Sequence, residues 1–353
     1  MKMTLAENID RLLAIDVGAG TQDILLFEND RPVENCVKLV LPSQTKIMAG
    51  RIQQATLREE PIALTGQIMG GGPLVSALKR HLKAGFKVYS TPPAAKTIRD
   101  DLDSVREMGV EVVDSVPEDA HRLDLKDVDL ARLAEALGFY DVSVPEKVAV
   151  AVQDHGHSPH GSNRLFRFQH WQRFVEGGGS IARLAYRKPP DYMTRMRAVQ
   201  EEIPDAILMD TGSAAIWGAL CDDEVASRRD EGIVVVNVGN QHTVAVLLKG
   251  ERVLGLFEHH TVILDESKLG ALIDRLREGE ITNEEVFGDN GHGAHVHGDY
   301  SADGGFRFVT VTGPNRAMAE GLGYYMAVPY GDMMLAGSFG LVAAADRLLA
   351  GGG

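Results

Sequence analysis

The chain has 353 residues, 44% of them hydrophobic and 24% charged, with a formal net charge of −14. Those values describe a globular protein of about two domains with a sizeable core. The acidic balance speaks against a broad nucleic-acid or anionic-membrane surface, since both need clustered Lys and Arg.

Residues 13–27 open the chain as two apolar runs around Asp16-Val17-Gly18-Ala19-Gly20-Thr21-Gln22-Asp23. That pattern predicts two short strands joined by a tight polar turn. Successive N–H groups in such a turn can hold an anion. The Thr21 hydroxyl and the Asp16 and Asp23 carboxylates suit a magnesium ion that carries phosphate. An ordinary hairpin with a glycine turn accounts for the same residues. Residues 35–42 read as a third strand, 45–58 as a helix and 61–65 as a buried strand. Gly66-Gln67-Ile68-Met69-Gly70-Gly71-Gly72-Pro73 follows and enters a helix that runs to about Ala84. A Gly-rich turn at a helix N-terminus can bind phosphate or simply be a tight turn. Residues 86–90 read as a strand. A helix then carries Ala95, Ile98, Leu102, Val105 and Met108 on one face and stops at Gly109.

The middle is less regular. Strands are expected at 111–114, 148–153 and 206–209, and helices at 129–139, 164–176 and 192–202. From residue 231 the opening order returns, with strands at 233–238, 243–248 and 252–257. Within it, Asn237-Val238-Gly239-Asn240-Gln241-His242-Thr243 repeats the first turn, with Asn237 where Asp16 stood. A helix with Leu269, Leu272, Ile273 and Leu276 follows, then a His/Gly-rich loop over 288–305 and a strand at 306–312. A helix starts at Asn315, a short strand lies near 326–329, and a long helix runs to about Leu349. A repeated hairpin suggests two related domains facing each other across one ligand.

Residues 14–27 and 235–248 resemble the two phosphate motifs of the actin-like ATPase superfamily, which includes actin, the large heat-shock chaperones and sugar kinases. Thr312-Gly313-Pro314-Asn315 with Leu335-Ala336-Gly337-Ser338-Phe339-Gly340 resembles its adenosine motif. The resemblance implies an α/β protein of duplicated actin-like ATPase (ribonuclease H-like) domains with an α/β insertion in the first half. The expected division is 1–109, then 110–230 as that insertion or as an extension of the first domain, and 231–353. More narrowly, Met69-Gly70-Gly71-Gly72-Pro73, Gln153-Asp154-His155-Gly156 and Asp210-Thr211-Gly212 resemble a prokaryotic family labelled "putative pyruvate formate-lyase activating". A radical-type activase holds an iron–sulfur cluster on closely spaced cysteines. This chain has two cysteines, Cys36 and Cys221.

The superfamily resemblance implies ATP with Mg2+ and assigns roles. Asp16 would hold magnesium. Gly18, Gly20, Thr21, Gln22 and Asp23 would line one phosphate turn, and Asn237, Gly239, Asn240, Gln241 and Thr243 the other. Gly313, Asn315, Gly337 and Ser338 would lie against the nucleoside. Asn237 replaces an acidic residue and Pro314 a glycine, which weakens hydrolysis more than binding. Phosphoryl transfer also needs a base or water-positioning group within reach. Asp154 and Asp210, each just after an expected strand, are the catalytic candidates besides Asp16, and each also reads as a helix cap.

Histidines form a second pattern. His155, His157 and His160 have H-x-H-x2-H spacing, and His292, His295 and His297 the reverse. Imidazole suits a transition metal such as Zn2+, and two solvated loops account for the same spacing. His242 reads as a phosphate contact or a hairpin cap, and Arg164, Arg167 and Arg173 on one helix as contacts for an anionic substrate or as a solvated face.

Three functions follow from these residues. One is an ATP-dependent phosphotransferase or ATPase with an unknown small-molecule acceptor. The second is a nucleotide-dependent regulator or reactivating factor of a partner enzyme. The third is a metal-dependent enzyme using the His-rich loops. The short cysteine count, the absence of a cleavage pattern and the absence of an apolar run near about 18 residues read as cytoplasmic, with neither nucleic-acid nor membrane partners expected.

Overall fold

A computed structural model describes residues 5–159, 161–302 and 305–351. Three sheets organise it. The first strands are β1 (Arg11–Val17), β2 (Thr21–Glu28) and β3 (Val37–Pro42), an antiparallel meander in which Asp16 faces Asp23 across the ladder. The chain then leaves to build a separate all-parallel sheet from β4 (Ile62–Gly66), β5 (Val88–Ser90), β6 (Val110–Val112) and β7 (His121–Leu125). Helices Gln44–Leu57 and Gly72–Lys83 pack on it. β8 (Val148–Val152) returns parallel to β1, followed by β9 (Ala185–Tyr186) and β10 (Ile207–Met209). The first sheet therefore has the order β3-β2-β1-β8-β10-β9.

The second half repeats the plan. β11 (Ile233–Val238), β12 (His242–Lys249) and β13 (Arg252–His260) form a meander, and β14 (Gly293–Val296) adds to its edge. β15 (Phe308–Thr312) and β16 (Tyr325–Met326) lie parallel on the other side of β11. In both halves three antiparallel strands are extended from the first of them by two or more others, starting with a parallel one. This is the duplicated ribonuclease H-like arrangement of the actin-like ATPase fold.

The separate sheet occupies 62–125, and β8, β10 and β9 of the first sheet fall inside the stretch 110–230, expected as an insertion or as an extension of the first domain. The reason is legible in β8: Val148-Ala149-Val150-Ala151-Val152 is buried throughout, as a central parallel strand must be. The helix expected over 95–108 is broken in two, Pro92–Ala95 and Leu102–Glu107, with Asp101 capping the second through the Asp103 and Ser104 amides. Part of the His/Gly loop is strand β14. The short strands β7 and β9 and the helix Thr211–Ala219 were not anticipated.

The halves are held together by two small-residue helices, Thr211–Ala219 and Ala336–Ala350. Phe339, Leu341 and Val342 of the second are fully buried in a core that includes Leu12 and Leu25 of one sheet and Val235 and Val246 of the other. The helices meet backbone to backbone. A Cβ on Gly340 would strike the Ala214 carbonyl, and one on Gly218 the Ala336 carbonyl. Gly340→Ala is therefore expected to lose about 1–3 kcal/mol in urea unfolding, as overpacked cores do. A midpoint equal to that of the parent protein would refute the close crossing.

Candidate functional site

The two polar turns face each other across a cavity of about 310 Å3 between the halves. Asn240 Nδ2 lies 2.8 Å from where a Gly20 Cβ would be, and Gln241 Nε2 lies 2.7 Å from the same point on Gly72. The second turn thus abuts both the first turn and the Gly-rich turn before helix Gly72–Lys83.

Asp16 and Asp23 stand side by side on the floor, since cross-strand partners point to one face. Oδ1 of each is shielded from solvent and has no hydrogen-bond partner among the described residues. Burial, then the neighbouring Asp23 and Asp210, push the Asp16 carboxyl well above its ordinary range. Burial pushes Asp23 up to about 7, although the Thr21 hydroxyl works downward. Two desolvated carboxylates with unpaired oxygens are the chemistry of a cation site. Gly337 closes the wall beside them, where a Cβ would collide with Asp16 Oδ2.

Asp16, Gly18, Thr21, Asp23, Asn237, Gly239, Asn240, Gln241, Gly313 and Gly337 line the cavity. Other sequence candidates have structural partners instead. Gln22 donates from Nε2 to the Pro42 carbonyl (3.0 Å). Thr243 is buried against Thr261, hydroxyl to hydroxyl at 3.0 Å. Asn315 donates from Nδ2 to the Gly239 carbonyl (2.9 Å), bracing the second turn. Ser338 donates from Oγ to the Asp23 carbonyl (2.6 Å), pinning the last helix to β2.

Asp154 and Asp210 do not present open carboxylates. Asp154 accepts from the Gly156 and Met196 amides, at 2.8 and 2.9 Å. Asp210 caps helix Thr211–Ala219 through the Gly212 amide (3.0 Å) and pairs with Arg167. Arg167, far from being solvated, is buried at the centre of the junction. Its Nη1 and Nη2 donate to Asp210 at 2.8 and 3.0 Å, its Nε to Glu258 Oε2 at 2.7 Å, and its Nη1 also to the Asp154 carbonyl at 2.8 Å. Burial would raise the Glu258 carboxyl, but Arg167 and neighbouring histidines hold it well below its usual range.

Glu258 in turn faces a cluster of imidazoles. The ligating nitrogens of His155, His242 and His292 lie within 4.8 Å of one another. Burial holds His155 well below its ordinary value, His242 down at about 4 and His292 down at about 3. All three rings are therefore neutral at pH 7, the form that binds metals. Of the other histidines proposed as ligands, His157 lies by Asp100 (3.5 Å) and His295 and His297 by Glu176 (2.7 and 3.7 Å). His160 lies outside the described residues. The two His-rich loops thus contribute one member each, and the second polar turn supplies the third. An iron–sulfur cluster does not fit this chain. Cys36 and Cys221 are both buried, and burial pushes the Cys221 thiol up to about 12.

Sequence reasoning named Arg167 but not its burial between two acids, and it missed Glu258, Lys96 and Arg99, the last two of which line the cavity from the loop between the two short helices. A lone Glu inside an apolar strand was the available sign for Glu258.

Residues 69–318 match a family model described as "Putative pyruvate format-lyase activating enzyme (DUF1786)". No curated protein matches the sequence. Among solved structures, the chain is similar to an activator of the 2-hydroxyisocaproyl-CoA dehydratase from Clostridium difficile with bound ADPNP. That likeness has 11% identity over 97% of each chain and a TM-score of 0.35. It is similar to an inorganic polyphosphate/ATP-glucomannokinase from Arthrobacter sp. strain KM, with 8% identity over 97% of this chain and 100% of that one, TM-score 0.37. A third is a PilM–PilN type IV pilus biogenesis complex, with 11% identity over 98% of this chain and 99% of that one, TM-score 0.37.

The raised Asp23 carboxyl has a consequence for stability. Between about pH 4 and 7 the folded protein keeps a proton that the unfolded chain releases, so this group's contribution is lost as pH rises to about 7. Asp23→Asn does not titrate. Its stability relative to the parent is expected to rise across that window, by up to about 1.4 kcal/mol per pH unit. The buried histidines act in the opposite direction, losing stability as pH falls below about 6.5, and being common to both proteins they cancel in the difference, whereas Asp16, which Asp23 pushes upward, is less raised in the variant and shifts the difference the same way. Urea midpoints at pH 4.5 and 7 decide it, and parallel curves would show that Asp23 ionises normally.

Proposed function

The chain belongs to the DUF1786 family, and from that premise and the chemistry of the cleft we propose that it binds ATP with Mg2+ between its two halves and works as an ATPase-type, nucleotide-dependent protein. The carrying observation is the Asp16–Asp23 pair, whose unpaired, buried oxygens lie between two glycine turns on duplicated sheets. Asp16 and Asp23 would hold the magnesium, which supplies charge neutralisation to the phosphates. Gly18, Thr21, Gly239, Asn240 and Gln241 would cradle those phosphates, with Lys96 and Arg99 adding positive charge. Gly313, Pro314, Met333 and Met334 would border the nucleoside.

Between the two readings that the nucleotide allows, one observation favours a regulator or reactivating factor over an acceptor kinase. The carboxylates of Asp154 and Asp210, the residues best placed in sequence to activate an acceptor, are both committed, the first to two amides and the second to an amide and Arg167. Closure around ATP would then reshape a surface for a partner enzyme, with slow hydrolysis in its absence. No helix among the described residues is long and apolar enough to cross a membrane.

Calorimetric titration with ATP and Mg2+ tests the reading. One site per chain is expected, weakened about tenfold or more in Asp16→Asn, which corresponds to about 1.4 kcal/mol or more. Absence of binding, or equal binding by the variant, would overturn it.

A further inference from the structure

We infer that His155, His242 and His292 form a binding site for a divalent transition metal of the zinc type, with its open coordination position on the cleft. The site is separate from the magnesium expected at Asp16, and its argument does not use the nucleotide reading.

The geometry comes from three separate segments. His155 follows β8 in the first half, His242 opens β12, and His292 immediately precedes β14. Their ring centroids are 4.7, 5.1 and 5.6 Å apart pairwise. Zinc–nitrogen bonds near 2.0–2.1 Å require each ligating atom to move by less than about 1 Å from a triangle of at most 4.8 Å edges.

His292 is the second, independent observation. It is fully buried, and both ring nitrogens lack a hydrogen-bond partner among the described residues. An imidazole left so in a protein interior forfeits two interactions, a cost that a metal ion would remove. Its Nδ1 lies 3.6 Å from Glu258 Oε1, so Nε2 is the free ligand. A carboxylate behind a ligating histidine fixes the ring's orientation and raises its basicity, as outer-shell partners of metal sites do. Glu258 is itself held by Gln153 (2.9 Å) and Arg167. Electrostatics allow a dication. Arg167 carries one positive charge beside the cluster, and the Asp210 and Glu258 carboxylates it pairs with outnumber it.

The ligand set also says what kind of site this is. Closed structural zinc sites use four protein ligands, whereas three protein ligands leave a position for water or substrate. His155 and His242 border the cavity and His292 lies behind them, which aims the fourth position into the cleft. His260 packs its ring 4.8 Å from His292 and 4.9 Å from His242, walling the far side.

The test uses the full chain, metal-depleted and without nucleotide. Titration with Co2+ should develop the visible absorption of a nitrogen-ligated, low-coordinate cobalt ion, saturate its first equivalent at one per chain, and be displaced by Zn2+. His155→Gln and His292→Ala should both lose that equivalent. His295→Ala, which alters the Glu176 pair elsewhere, should keep it. His292→Ala removes a buried ring and can perturb folding, so His155→Gln at the cavity surface is the deciding variant. Zn2+ should raise the melting temperature of the parent protein and of His295→Ala but not of His155→Gln. No cobalt signal in the parent, or an undiminished first equivalent in His155→Gln, would overturn the site whatever the outcome with ATP.

Discussion

The arrangement depends on one buried cation. Arg167, on helix Asn163–Glu176, reaches the end of β10 through Asp210, the end of β8 through the Asp154 carbonyl, and β13 of the other half through Glu258. Each carboxylate it binds is itself buried, so removing the guanidinium would strand two charges in a dry interior. Breaking such a pair costs several kcal/mol, even where building it contributes little net stability. The triad therefore fixes how the halves meet more than how stable they are. The cavity and the histidine cluster both lie along the seam it sets.

The floor of the cleft is asymmetric in a way that the duplicated folds make readable. β1 and β11 occupy equivalent places, with Asp16 on one and Asn237 on the other. The first turn already carries Asp16 and Asp23, both pushed upward by desolvation. A third carboxylate facing the same cavity would add repulsion that burial amplifies. Asn237 keeps hydrogen-bonding capacity there without charge. An uncharged residue at this place thus agrees with the electrostatics of the cleft, and it leaves the paired carboxylates to the first half.

How much of this could be read beforehand varies by element. Both hairpins were visible because an apolar run, a polar glycine turn and a second run occur twice, and period-2 strand patterns with their turns are local. The helix Thr211–Ala219 was not, because Thr-Gly-Ser-Ala-Ala-Ile-Trp-Gly-Ala is small and buried nearly all round and so carries no amphipathic period. The broken helix over 95–108 kept a helical spacing of apolar residues on both sides of the break, and Asp101 reads as an ordinary polar position until its capping bonds are seen. The histidines show the limit most plainly. Spacing within a loop grouped His292 with His295 and His297, yet backbone geometry separates them. His292 lies just before β14, while His295 and His297 turn to Glu176 at its other end. The triad His155–His242–His292 is joined only by tertiary structure, and Arg167 between two acids 43 and 91 residues away is equally invisible to any local pattern.

His242 directly follows Gln241, one of the residues facing the first half across the cavity. Its ring is fixed to β12, where it pairs with His260 of β13 in the ladder. The backbone position of the second polar turn and the direction of this imidazole therefore cannot be set independently. Anything that draws the turn toward Gly20 and Gly72 also moves one corner of the histidine triangle, while His155 moves with the first half. A metal ion gripping all three rings would in the same way resist opening of the cleft. Were both the proposed nucleotide and the proposed metal to bind, their binding would be linked through this hairpin, and such linkage is reciprocal by thermodynamic necessity. The Arg167 triad fixes the seam, and the three histidines are a second cluster drawn from both sides of it.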